Sequence, residues 1–135
     1  MIIDWSVELP QIKQQAAKHG VDWAFVAAIR QTENGSAGRE FGVLDGVSSS
    51  YEEQLEVTCA TVAHRLETYP ANPITRCYSP NKHSRVRYTQ SFITYFSSIW
   101  SPVGATNDPS GLNKNWLKNA TNAYSSFISQ DLSQC

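Results

Sequence analysis

Little in these 135 residues is in excess, and each shortage removes a class of protein. The formal net charge is -1, from 11 basic and 12 acidic side chains, and no basic run stands out. Nucleic-acid binders draw much of their affinity from Lys and Arg set against phosphates, so no nucleic-acid partner is expected. The same balance gives no electrostatic pull toward a membrane surface. No apolar stretch approaches the ~20 residues that span a bilayer, which argues against membrane insertion. The opening Met1-Ile2-Ile3-Asp4-Trp5 lacks the basic and apolar regions of a signal peptide. The expectation is a chain used in the cytoplasm, exported by a non-standard route, or trimmed. Cysteine is scarce and odd in number: Cys59, Cys77 and Cys135 cannot make a disulfide framework. Buried free thiols are expected, with a Cys59–Cys77 bridge as the alternative in an oxidising compartment. The pairs Cys59/His64 and Cys77/His83 lack the short Cys-x2-Cys spacing of common zinc sites. Neither a metal nor a cofactor is expected.

What is present is ordinary globular composition, 41% hydrophobic and 17% charged. A split into two domains would leave each half a poor core, so 1–135 reads as one domain, a monomer. The apolar spacing predicts four or five amphipathic helices. One runs from about Pro10 to Lys18, with Pro10 in its first turn and Gly20 as its stop. A second runs from Trp23, after the cap Asp22, to about Glu33, and Asn34-Gly35 ends it. The clearest start is Ser50-Tyr51-Glu52-Glu53, a capping box ahead of Leu55, Cys59, Val62 and Leu66. A polar stretch follows Pro70, then a fourth helix from about Val86 to Ile99. A last helix carries Trp116, Leu117, Ala120, Tyr124, Phe127 and Ile128 on one side. The fold class is mainly α, with a small loop or hairpin region beside the cleft and a small strand or hairpin expected between Arg39 and Ser48.

The most informative segment runs from Asp22 to Leu44. An apolar helix delivers one carboxylate, Glu33, in its last turn, and a loop rich in Gly and Ser follows at once. The negative end of the helix dipole disfavours an ionised carboxylate there. A carboxyl kept protonated can donate its proton to a glycosidic oxygen as the bond breaks. On residue type alone a Glu at a helix end is more often a solvated surface group. A glycosidase using two carboxylates needs a second one ~5–9.5 Å from the first. Asp45 is the best placed along the chain, and Asp108 is next, although Asp108-Pro109-Ser110-Gly111 is also a plain turn signal. Among the aromatic and amide residues, Tyr88, Trp100 and Asn107 lie in or beside polar segments and are the candidates to contact a sugar, whereas Tyr124 reads as core.

The stretch AAIRQTENGSAGREFGVL resembles the catalytic segment of the lysozyme-like superfamily, which includes lytic transglycosylases, goose-type lysozymes and phage muramidases. The stretch IWSPVGATNDPSGLNKNWLKNATNAYSSF resembles the end of small phage-borne relatives. Together they cover a little under half of the chain. The resemblance implies a lysozyme-like α-helical globule with Glu33 as the acid, and a cleft lined by the loop Phe41-Gly42-Val43-Leu44. It also implies a substrate, the peptidoglycan glycan strand, cut at the β-1,4 bond between N-acetylmuramic acid and N-acetylglucosamine. A phage lysis or virion protein, or a bacterial cell-wall enzyme, is the implied setting. Relatives of the transglycosylase type work with a single Glu, acting first as acid and then as base. The rival readings are an N-acetylglucosaminidase or chitinase-like enzyme, an inactive phage or secretion-system protein of the same fold, and an α-helical interaction module without a sugar site.

Overall fold

A computed structural model of the chain describes residues 2–78, 84–103, 111 and 113–133. Among the described residues it is mainly α, with five helices and one two-stranded antiparallel sheet in the order α1 (Trp5–His19), α2 (Trp23–Glu33), α3 (Tyr51–Thr68), β1 (Ile74–Tyr78), β2 (Ser84–Tyr88), α4 (Gln90–Trp100) and α5 (Lys114–Ser133). The chain divides into two compact units, Met1–Glu67 and Thr68–Cys135. Among the described residues no helix is long and apolar enough to cross a membrane.

In the first unit, α1 starts five residues earlier than the Pro10 signal suggests. Asp4 is the cap, its side chain accepting from the Ser6 N–H (3.2 Å) and the Ser6 hydroxyl (2.6 Å). Pro10 therefore sits inside the helix, where its missing N–H releases the Ser6 carbonyl. Both residues are exposed, so water can take the vacated bond. The helix stops at Gly20 (φ 67°), where the Gly20 N–H donates to Ala17 and the Val21 N–H to Ala16, a Schellman closure. Helix α2 matches the sequence reading at both ends. The Asp22 side chain accepts from the Ala24 N–H, and the seven residues Ala24 to Arg30 are all buried. The capping box of α3 is reciprocal: Glu53 N–H donates to the Ser50 hydroxyl (3.1 Å) and Ser50 N–H to the Glu53 carboxylate (3.2 Å). Leu55, Cys59 and Val62 are buried as their spacing predicts, and so are the polar Gln54 and Thr58. Burial pushes the free Cys59 thiol up to about 12. Cys77 is also free and partly buried, while Cys135 lies outside the described residues.

The second unit corrects two readings. The hairpin lies at 74–88, not between Arg39 and Ser48, and α4 begins at Gln90 rather than Val86. Helical spacing misled because Tyr88 stands four residues before Phe92 and does pack on it, at 5.0 Å edge-on, from the end of a strand. Thr89 is the true cap, its hydroxyl accepting from the Phe92 N–H. In 39–48 the positive φ of Gly42 and Gly46 breaks any ladder into turns. The β1–β2 register pairs Ile74 with Tyr88 and Tyr78 with Ser84. The hairpin is tied to α5 by Arg87 over the Tyr124 ring (5.3 Å), an Arg85–Asp131 ion pair, and the Tyr88 N–H donating to the Tyr124 hydroxyl (2.8 Å). Tyr124 is fully buried, as expected, and Phe92, Ile93, Phe96, Trp116, Ala120, Phe127 and Ile128 are buried in the same unit.

Candidate functional site

Glu33 is the last residue of α2 and is partly buried. Asn34 caps the helix in the left-handed conformation (φ 44°, ψ 43°), a position Asn tolerates better than most residues, and its N–H donates to the Arg30 carbonyl (2.9 Å). That turn sends the chain back along its own path. Gly35 N–H meets the Glu40 carbonyl (3.3 Å), Arg39 N–H the Ser36 carbonyl (2.8 Å), and Gly42 N–H the Arg39 carbonyl (3.0 Å). At Gly35 the closure is so tight that a Cβ would fall 1.7 Å from the Arg39 carbonyl oxygen.

The returning loop meets the acid at Gly42. A Cβ there would lie 2.3 Å from Glu33 Oε2 and 2.6 Å from its carboxyl carbon, and φ is +75°. Only a glycine satisfies both conditions without displacing the carboxyl. Two of the residues singled out in the sequence, Glu33 and Gly42, are thus in direct apposition. Their neighbour Phe41 is fully buried, with its ring 5.7 Å from that of Tyr51. It anchors the loop and does not offer its face to a ligand, a correction to its candidacy as a sugar contact.

Asp45 is exposed and holds a turn. Its Oδ1 accepts from the Val47 (2.9 Å) and Ser48 (2.7 Å) N–H groups, and its Oδ2 accepts from the Ser48 hydroxyl (2.7 Å). These bonds, those to Ser48 foremost, hold its carboxyl below the ordinary Asp range. Tyr88 is 4% exposed and packed on Phe92 and Tyr124, which removes it as a surface contact. Trp100 is partly exposed, its ring stacked on Phe96 at 5.4 Å. Both belong to the second unit. Asn107 and Asp108 lie outside the described residues.

Besides Glu8, four residues that the sequence did not single out as site residues build the frame of the loop after Glu33. Arg30, 3% exposed, donates through Nε and a terminal nitrogen to the two Glu8 oxygens (2.7 and 3.2 Å), and through its other nitrogen to the Gly35 (3.4 Å) and Glu40 (3.2 Å) carbonyls. One guanidinium thereby joins α1, α2 and both ends of the loop after Glu33. Tyr51 at the start of α3 donates its hydroxyl to Glu8 (2.9 Å), and burial together with that carboxylate raises the phenol above its ordinary value. The Glu40 carboxylate turns inward to accept from the Gly38 N–H (3.1 Å). An open pocket of about 320 Å3 lies over this network, lined by Glu8, Arg30, Glu40 and Tyr51 among others; Glu33 is not in its lining.

Gln54 is the fourth. It is fully buried, and its amide spends all four of its hydrogen-bonding positions on the loop. Oε1 accepts from the Phe41 (3.2 Å) and Val43 (3.1 Å) N–H groups, and Nε2 donates to the Val43 (3.0 Å) and Ser48 (2.7 Å) carbonyls. A lone Arg in an apolar helix, and a Gln beside an apolar stripe, were the available sequence signals. Neither tells what the side chain meets.

No family model, curated protein or solved structure matches this chain.

Proposed function

We propose that the chain cleaves the β-1,4 bond between N-acetylmuramic acid and N-acetylglucosamine in peptidoglycan, with Glu33 as general acid and then base. The observation that carries this reading is the apposition of Glu33 and Gly42. The bare backbone of Gly42 packs directly on a partly exposed carboxyl at the end of a buried helix, so the loop beside the acid adds no side chain of its own at that point. The residues concerned are those on which the resemblance to lysozyme-like enzymes rests.

Asp45 favours the one-carboxylate scheme over the two-carboxylate one. Both of its oxygens are engaged in the 45–48 turn, and its ionised form is held there by the Val47 and Ser48 donors. In the scheme that follows, the protonated Glu33 gives its proton to the glycosidic oxygen as the bond to C1 breaks. The 6-hydroxyl oxygen of the same muramic acid then bonds to C1, and the Glu33 carboxylate accepts the hydroxyl proton. One C–O bond is lost and one is made, no water is consumed, and the enzyme ends as it began. The product is a 1,6-anhydro sugar.

Mass spectrometry of the fragments released from purified cell walls tests this directly. Muropeptides ending in 1,6-anhydromuramic acid are expected. Reducing-end muramic acid would make the enzyme a hydrolase, reducing-end N-acetylglucosamine would move the cut to the alternate bond, and no soluble fragments at all would refute glycan cleavage.

A further inference from the structure

The Gly42 backbone is held against Glu33 by bonds that Glu33 does not itself make. The Gly42 N–H is tied to Arg39, and the peptide N–H groups on either side of it, those of Phe41 and Val43, converge on the one oxygen of Gln54. The Gln54 nitrogen reaches past them to the Val43 and Ser48 carbonyls and so fixes the far end of the same loop. Because Oε1 faces two donors and Nε2 faces two acceptors, the amide has a single orientation that satisfies all four groups. It is 0% exposed, so water cannot substitute for any of them. A Thr58 hydroxyl bonded to the Gln54 carbonyl (2.8 Å) braces the helix turn from which the side chain projects.

From this we infer that Gln54 is a positioning residue for the acid: its buried amide clamps the 41–48 loop so that Gly42 stays flat against the Glu33 carboxyl. The inference rests on the proposed role of Glu33, and it adds a residue of a different helix whose side-chain amide bonds to the backbone of the loop. Gln54→Glu keeps the size of the side chain and changes what it can offer. As a carboxylate it still accepts from Phe41 and Val43 but repels the Val43 and Ser48 carbonyls; once protonated it has one O–H for the two. Loosening of the loop should then depend on pH in this variant alone. Gln54→Leu offers nothing at any pH.

The test combines kinetics on soluble peptidoglycan fragments with NMR of protein carrying 13C in its Glu side-chain carboxyls, the Glu33 signal being assigned by its loss in Glu33→Gln. In the wild-type protein the Gln54 side-chain amide and the Phe41 and Val43 backbone amides should exchange with solvent slowly. Both Gln54 variants should shift the Glu33 carboxyl signal. Gln54→Glu should lose about 100-fold in kcat near neutral pH, on the scale of a misplaced catalytic group, with KM held within about threefold. It should regain part of that loss as pH falls, whereas Gln54→Leu should not. Fast exchange of the three wild-type amides overturns the clamp even if neither variant folds. An unmoved Glu33 signal, or wild-type kcat in both folded variants, overturns it as well. A shifted Glu33 signal in a protein whose Glu33→Gln variant still cuts glycan would leave the clamp standing and remove the proposed role of Glu33.

Discussion

Glu33 and Asp45 lie on one stretch of chain, and the surroundings of Asp45 make it the residue that holds a turn. The Asp45 carboxylate is exposed and surrounded by donors, so the folded protein favours its charged form. With its folded value below the unfolded one of ~3.9, the contribution to stability is fully present above that value and is lost as pH falls through the folded one. Asp45→Asn keeps an oxygen that can accept from Val47 and Ser48 but cannot titrate. The variant is therefore expected to retain glycan cleavage and to show a smaller loss of stability between pH 6 and pH 2 than the wild type, as read by paired denaturant melts. Loss of cleavage as complete as that expected for Glu33→Gln would restore Asp45 as a second catalytic carboxylate. The opposite demands on backbone are equally local. Gly42 is bare because Glu33 fills the place of its side chain, and Gly35 because Arg39 does.

At the scale of elements, the join between α1, α2 and the loop after Glu33 is ionic and nearly dry. Glu8 and Arg30 expose 13% and 3% of their side chains, so truncating Glu8 leaves a buried guanidinium facing no carboxylate at that position. Glu8→Ala is expected to destabilise the fold by about 3–5 kcal/mol, measured as a shift in the denaturant midpoint with an unchanged slope. A cost under about 1 kcal/mol, typical of a surface pair, would mean that water screens the bridge. This join could not be read from the chain, since Glu8 and Arg30 are 22 residues apart and each looks like a surface charge. Local signals fared better. The caps Asp22 and Ser50, and the stops at Gly20 and Asn34, are visible because each works through bonds to residues within a few positions. Pro10 failed as a start signal because Asp4, with Ser6, caps a turn that the rule for proline ignores. The hairpin at 74–88 failed for another reason. Arg85 and Arg87 do alternate with Val86 and Tyr88, but arginines do not read as a packed face, and here both are accommodated by Asp131 and Tyr124 from a helix some forty residues later while Val86 is exposed.

For the molecule as a whole, a mainly α fold was legible from the spacing of apolar residues, which records which faces are buried. The site was legible only in part. Glu33 and Gly42 lie nine residues apart, close enough for a sequence pattern to hold both, and the structure puts them in contact. Phe41 and Tyr88 are aromatic residues beside polar segments, which marks core and surface alike, and both are buried. Gln54 was invisible because its importance lies in four backbone groups that no side chain announces. All of the chemistry proposed nonetheless passes through one carboxyl. Purified Glu33→Gln protein should clear a suspension of bacterial cell walls no faster than buffer, while its melt stays within about 1 kcal/mol of wild type, as for a substitution outside the core. Clearing at more than a small fraction of the wild-type rate by a folded Glu33→Gln protein would contradict Glu33 as the acid.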